Sequence, residues 1–147
     1  MVLAKRATGG DVIWMCRAVQ RVESQDSDDA VQDIYEASVK PSLGRDAQVN
    51  DAPILDIRGR LALRNDSIDA TFEVVTRFIF ANDQEMPEIE EVREFLRDYG
   101  IDYTFGYIRA ALADDLRVFG LQAGVLPVTA LDEVRFADLV AVHAPGA

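Results

Sequence analysis

The clearest alternation of apolar and polar positions runs from residue 54 to 80, "ILDIRGRLALRNDSIDATFEVVTRFIF". The alternation continues on both sides of Asn65-Asp66-Ser67, which predicts two long strands joined by a tight turn. With the turn centred between Asp66 and Ser67, Arg64 opposes Asp69, Arg60 opposes Glu73 and Asp56 opposes Arg77. Each of these pairs carries opposite charge, and all lie on one face. On the other face Leu63 opposes Ala70, Leu61 opposes Phe72 and Leu55 opposes Phe78. Cross-strand pairs of either kind contribute roughly 0.2–1 kcal/mol. A slip of one residue would send every side chain to the wrong face, so the pattern specifies its own register. Upstream, "VQDIYEASV", 31–39, is rich in β-branched and aromatic residues and predicts a further strand, with Val31, Tyr35, Ala37 and Val39 on one parity. From Pro41 to Pro53 the turn formers Gly44, Asp46, Asn50 and Asp51 predict a loop. Residues 12–27 fit either helix or strand. Val19 and Val22 suit a helical period, but "RAVQRVE" reads equally well as a strand beside the next one. Residues 24–30 are an acidic turn, and residues 1–11 are expected to be loose.

After Asn82 the period changes. In "MPEIEEVREFLRDYG", 86–100, a proline and three glutamates suit a helix start, and Ile89, Val92, Phe95, Leu96 and Tyr99 form a helical stripe. Gly100 is expected to end that helix as its C′ residue. A second helix follows, with Phe105, Ile108, Leu112, Leu116 and Phe119 on one stripe, and Gly120 stops it. Beyond it the chain is apolar and loop-like around Pro127, 136–142 reads as a short helix or strand, and 143–147 is expected to be loose. Strands first and helices after predict an α+β fold: an antiparallel sheet with helices packed on one face. No repeat or low-complexity segment interrupts it, so residues 1–147 read as a single domain.

Composition narrows the function classes. The chain has 147 residues, 49% of them apolar, which is enough for a core without disulfides or metal. Its net charge is −11. Such a surface repels phosphate backbones and favours basic partners, so no nucleic-acid partner is expected. A single cysteine, Cys16, permits no internal disulfide and fits a reducing cytoplasm. The apolar patch 12–16 is far too short for a signal-peptide core, and no apolar run could span a bilayer. The expectation is a soluble, cytoplasmic protein without membrane insertion.

Chemistry is sparse. His143 is the only histidine and stands in the tail. Cys16 has no evident base partner and reads as a small buried hydrophobe. Asp28-Asp29 and Asp114-Asp115 lack calcium-loop spacing, and Gly9-Gly10 is followed by no GK[ST]. No catalytic residue, metal or cofactor is expected. What stands out is a run of aromatics, Tyr99, Tyr103, Phe105 and Tyr107, followed by Leu126 and Val128 in a loop marked by glycine and proline. Some of these can wedge the helices onto the sheet. Together they also suit an apolar groove for extended segments of another chain, because aromatics bury large area with few rotors.

The stretch 105–136, "FGYIRAALADDLRVFGLQAGVLPVTALDEVRF", resembles the SecB-type export chaperones. Phe105, Tyr107, Arg109, Asp115, Leu116, Pro127 and Phe136 match that family in kind, and the upstream order of strands ending in a long hairpin agrees. Gly106 stands where the family has proline, Leu126 replaces one proline of its double-proline loop, and Asp132-Glu133 replace a later pair. The resemblance is to a divergent member, similar to the SecB-like chaperones of toxin–antitoxin systems, and implies a SecB-like four-stranded antiparallel sheet with helices packed on one face. It implies an ATP-independent holdase that binds unfolded or disordered polypeptide in apolar surface grooves. It also implies a homotetramer with the long helices near the dimer interfaces, and an export motor ATPase or an antitoxin as a further partner. Client contacts are expected at Tyr99, Tyr103, Phe105, Tyr107, Leu126 and Val128. The alternative reading is a dedicated interaction module for one partner, such as an antitoxin or a phage regulator.

Overall fold

The charge-paired hairpin forms in the expected register and organises everything around it. The computed structural model describes residues 2–22, 34–80 and 85–121. In chain order these form a short helix α1 (Val2–Arg6), strands β1 (Gly9–Arg21), β2 (Ile34–Asp46), β3 (Ala52–Arg64) and β4 (Ile68–Ile79), then helices α2 (Ile89–Phe95) and α3 (Ile101–Val118). Among the described residues the strands make one antiparallel sheet in the order β1-β4-β3-β2. In the β3–β4 hairpin Arg64 opposes Asp69, Arg60 opposes Glu73, Asp56 opposes Arg77 and Leu61 opposes Phe72. Asn65 closes its turn: its side-chain oxygen accepts from the Ser67 and Ile68 amides, and its own amide donates to the Ile68 carbonyl. Arg77 grips Asp56 with two hydrogen bonds of 2.7 and 2.9 Å, which raises the guanidinium pKa further above its ordinary value.

The helices cover one face of the sheet. Leu55, Ile57, Leu61, Phe72, Val74 and Phe78 from the sheet pack with Val92, Phe95, Leu96, Phe105, Ile108, Leu112 and Leu116. The buried polar pair in this layer is satisfied. Thr104 donates to the Gly100 carbonyl at 2.8 Å, so the 2.6 Å hydrogen bond between the two threonines takes its proton from Thr76. The fold is thus α+β, as the strand-then-helix order predicts, with a four-stranded antiparallel sheet, as the family resemblance implies.

One open reading is resolved and three local expectations are corrected. Residues 9–21 are a strand, which resolves the open reading of 12–27 for its described part. The start of the chain is also ordered: α1 buries Leu3 in the core, and the Thr8 amide bonds the Ile79 carbonyl. Strand β2 does not stop at residue 39 but passes through Pro41 to Asp46, with Val39, Pro41 and Leu43 all buried on one face. Proline is tolerated there because β2 is an edge strand, where one side of the backbone needs no ladder partner. Turn chemistry is confined to 47–51, where Asn50 and Asp51 both take φ of 54°.

The third correction is Gly100. It does not end a helix; it is helical, and α2 runs into α3 through the π-helical turn Leu96–Gly100. The glycine is there for clearance. A Cβ on it would lie 2.6 Å from the Ile57 terminal methyl and 3.2 Å from the Phe95 ring. Gly120, in contrast, stops α3 as expected, at φ +71°. Its amide bonds Arg117 and the Leu121 amide bonds Leu116, a Schellman closure.

Candidate functional site

Tyr99, Tyr103 and Tyr107 stand at intervals of four residues, so one side of the helical run carries a row of phenol rings. Tyr99 and Tyr103 stack with centroids 5.6 Å apart, and Tyr103 meets Tyr107 edge-on at 5.3 Å. Phe78 from β4 lies under the row, 5.2 Å from Tyr103 and 4.9 Å from Phe95. Phe95 joins the set at 5.5 Å from Tyr99. The opposite wall comes from the start of the chain: Ala4 and Ala7, then Gly9 and Gly10 at the head of edge strand β1. Between them lies an open trough of about 380 Å³.

Each wall has a local cause. Leu3 anchors α1, and Arg6 reaches the Glu85 carbonyl at 3.0 Å. Gly10 cannot be replaced without a shift, because a Cβ would sit 2.9 Å from the Arg77 carbonyl oxygen. The wall is therefore low, and the rings opposite stay wet: Tyr99 is 43% and Tyr103 36% exposed. Exposed acids Asp98 and Asp102 adjoin Tyr99 and Tyr103 in the sequence, whereas Asp11 opposes Arg77 on the other face of the sheet.

The Tyr103 and Tyr107 hydroxyls lie 3.0 Å apart. That hydrogen bond, with some burial, pushes the Tyr103 phenol up to about 12. A raised folded-state pKa contributes stability that is present below about pH 10, the ordinary phenol value, and is lost as pH climbs through 12. Replacing Tyr107 by phenylalanine is expected to bring the Tyr103 titration down toward 10, read as phenolate absorbance. A titration that does not move would show that burial alone sets it.

Of the six residues expected from sequence, Tyr99 and Tyr103 line the trough, and Tyr107 extends the row from its Tyr103 end. Phe105 is a correction. It is 2% exposed and turned into the core, with its ring edge 3.5 Å from where a Cβ on Gly59 would be. The tyrosines sit on another face of the same helix, which is why one sequence cluster divides into wall and core. Leu126 and Val128 lie outside the described residues, as do His143 and Asp28-Asp29. Sequence reasoning missed the floor, Phe78 and Phe95, and the far wall. The bare pair Gly9-Gly10 of that wall is visible in the sequence, but nothing local places it opposite the tyrosines.

The other candidate groups have structural roles. Asp115 takes two hydrogen bonds from Arg17, of 3.0 and 2.9 Å, which raise the Arg17 pKa and tie β1 to α3. Asp114 pairs with Arg117 at 3.5 Å. Cys16 is half-buried with its sulfur 3.8 Å from the Thr71 carbonyl oxygen. Among the described residues no set of three or more His, Cys, Asp or Glu side chains is placed to hold a metal. No helix among them is long and apolar enough to cross a membrane. The trough lining offers rings, methyls and bare backbone, which can bind apolar groups.

No family model and no curated protein matches the chain. Among solved structures, it is similar to the Mycobacterium tuberculosis Rv1957 SecB-like chaperone in complex with a ChAD peptide from the Rv1956 HigA1 antitoxin. The TM-score is 0.52 at 22% identity, over 82% of this chain and 85% of that one. The likeness establishes a SecB-like fold.

Proposed function

We propose that this chain is an ATP-independent holdase that takes unfolded or disordered polypeptide segments into the trough beside the tyrosine row. The observation that carries this reading is the exposed Tyr99–Tyr103 stack above Phe78, facing a wall of alanine and glycine. Large aromatic surface left wet in a groove marks a docking site for apolar groups. The volume falls within the roughly 300–1,000 Å³ of pockets that hold small ligands. The net charge of −11 draws clients with basic flanks and speeds their encounter. Affinity then comes from apolar burial, less the cost of ordering the client. No step of this work makes or breaks a covalent bond.

The working form in this proposal is a homotetramer in the cytoplasm. Supporting it, Ile13 and Met15 on edge strand β1 are exposed apolar residues that assembly would cover. A second reading, a module dedicated to one partner such as an antitoxin, is favoured by the similar structure having been solved with an antitoxin peptide. The test is native mass measured together with suppression of aggregation of a denatured model protein. An oligomer that suppresses aggregation supports the holdase. A monomer that fails to suppress it contradicts the proposal. Capture of one stoichiometric partner, in place of many unfolded clients, selects the dedicated module.

A further inference from the structure

The sheet face away from the helices carries a second feature that the trough does not use. On β2 and β3 it presents Lys40, Arg58, Arg60 and Arg64, all exposed. Lys40 stands directly opposite Arg58, and like charges facing each other across a ladder destabilise it. Little compensates them. Glu73 opposes Arg60 in register, yet its ion pair, at 3.5 Å, is with Arg58. Lys40, Arg60 and Arg64 make no ion pair with a described residue, although Asp69 opposes Arg64 and Glu36 is on the same face. The neighbouring cation on this face, Arg77, is in contrast fully engaged by Asp56. A protein with a net charge of −11 thus holds four cations together on one sheet face, beside the acids Glu36, Asp69 and Glu73, with three of the four in no ion pair with a described residue.

We propose that this patch docks an acidic, extended segment of a second polypeptide. The geometry suits a strand-like ligand. Arg58, Arg60 and Arg64 lie along one strand on one face, two and then four residues apart, a span of about 20 Å, and Lys40 flanks them. An extended peptide with acids at alternate positions can follow that line. Guanidinium groups bind carboxylates through paired hydrogen bonds, which gives the contact direction as well as charge. The patch favours a short acidic segment over nucleic acid, because a long polyanion would meet the field of the whole acidic chain, whereas a short segment meets the patch. This inference does not depend on the trough, and the two sites are on opposite faces of the sheet.

The experiment uses the full chain and a fluorescent peptide of about ten residues alternating aspartate and serine, with its asparagine–serine counterpart as control. The expected result is binding of the acidic peptide alone, weakened by added salt. Combining Lys40→Gln, Arg58→Gln and Arg60→Gln should weaken it by about tenfold or more, with binding of an unfolded apolar client unchanged. Should that variant misfold, the salt dependence and the asparagine control on the unaltered chain still decide. Equal binding of both peptides overturns the proposal, and so does no binding of either. Tighter binding of a DNA oligonucleotide than of the acidic peptide overturns it in favour of nucleic acid. A changed native mass in the variant, with peptide affinity unchanged, overturns it in favour of a contact between copies.

Discussion

Replacing Phe105 by alanine is expected to cost about 3–5 kcal/mol of folding stability, the range for removing a fully buried phenylalanine. The ring is 2% exposed and packs where α3 crosses the sheet at Gly59. That glycine shows how close the approach is: a Cβ there would meet the Thr104 methyl at 2.9 Å and the Phe105 ring at 3.5 Å. Helix and sheet are held at that distance by their own contacts, so the space left by the ring cannot collapse freely. Domains of this kind have a total stability of roughly 5–15 kcal/mol, so the change removes a large share of it. Denaturant unfolding measures the loss. A loss under about 1 kcal/mol together with weakened client binding would return Phe105 to the groove, against its burial here.

Replacing Tyr99 and Tyr103 together by serine is expected to weaken binding of an unfolded client by about 30-fold or more, the scale of losing an aromatic anchor at a contact centre. The two rings form the exposed wall of the trough above Phe78, whereas Phe95, which also meets Phe78, is buried. Some stability goes with them, because their contacts with Phe78 and Phe95 contribute roughly 0.5–1.5 kcal/mol each. The variant should still fold, and should lose less stability than Phe105→Ala. Client titration by anisotropy, alongside native mass, reads both effects. Unchanged affinity in a folded variant would remove the trough from the binding account.

The contrast between these two predictions shows what was legible in the chain. The β3–β4 register could be read because two independent patterns, charge pairs on one face and apolar pairs on the other, agree on one turn centre. The tyrosine row could be read from spacing, and the close of α3 from Gly120. Strand β1 was ambiguous for a physical reason. Its register shifts between Trp14 and Cys16, so that Val12 and Trp14, then Arg17 and Val19, oppose helix-side residues of β4. The inward parity changes midway, which breaks the strand period and leaves Val12 and Val19 at a helix-like interval of seven. Pro41 read as a loop because edge position, which makes proline harmless in a strand, is a property of the sheet and not of the segment. Gly100 read as a helix stop because a glycine used for clearance and one used as a cap look alike until the facing residue, Ile57, is known. The far wall of the trough joins residues 4–10 to residues 78–103, and no local pattern announces a contact at that separation.

The central claim is that polypeptide sits in the trough between the tyrosine row and the glycine wall. The most direct measurement places a photo-crosslinking amino acid at position 103 and, in a separate protein, at position 118, then irradiates each with a bound unfolded client. Val118 is the stringent control, since it is apolar and 81% exposed, far more open than Tyr103 at 36%. Crosslinking of the client from position 103, with little from 118, is the predicted result. Equal or stronger crosslinking from 118 would show that clients follow general exposure and not the trough, and would contradict the account.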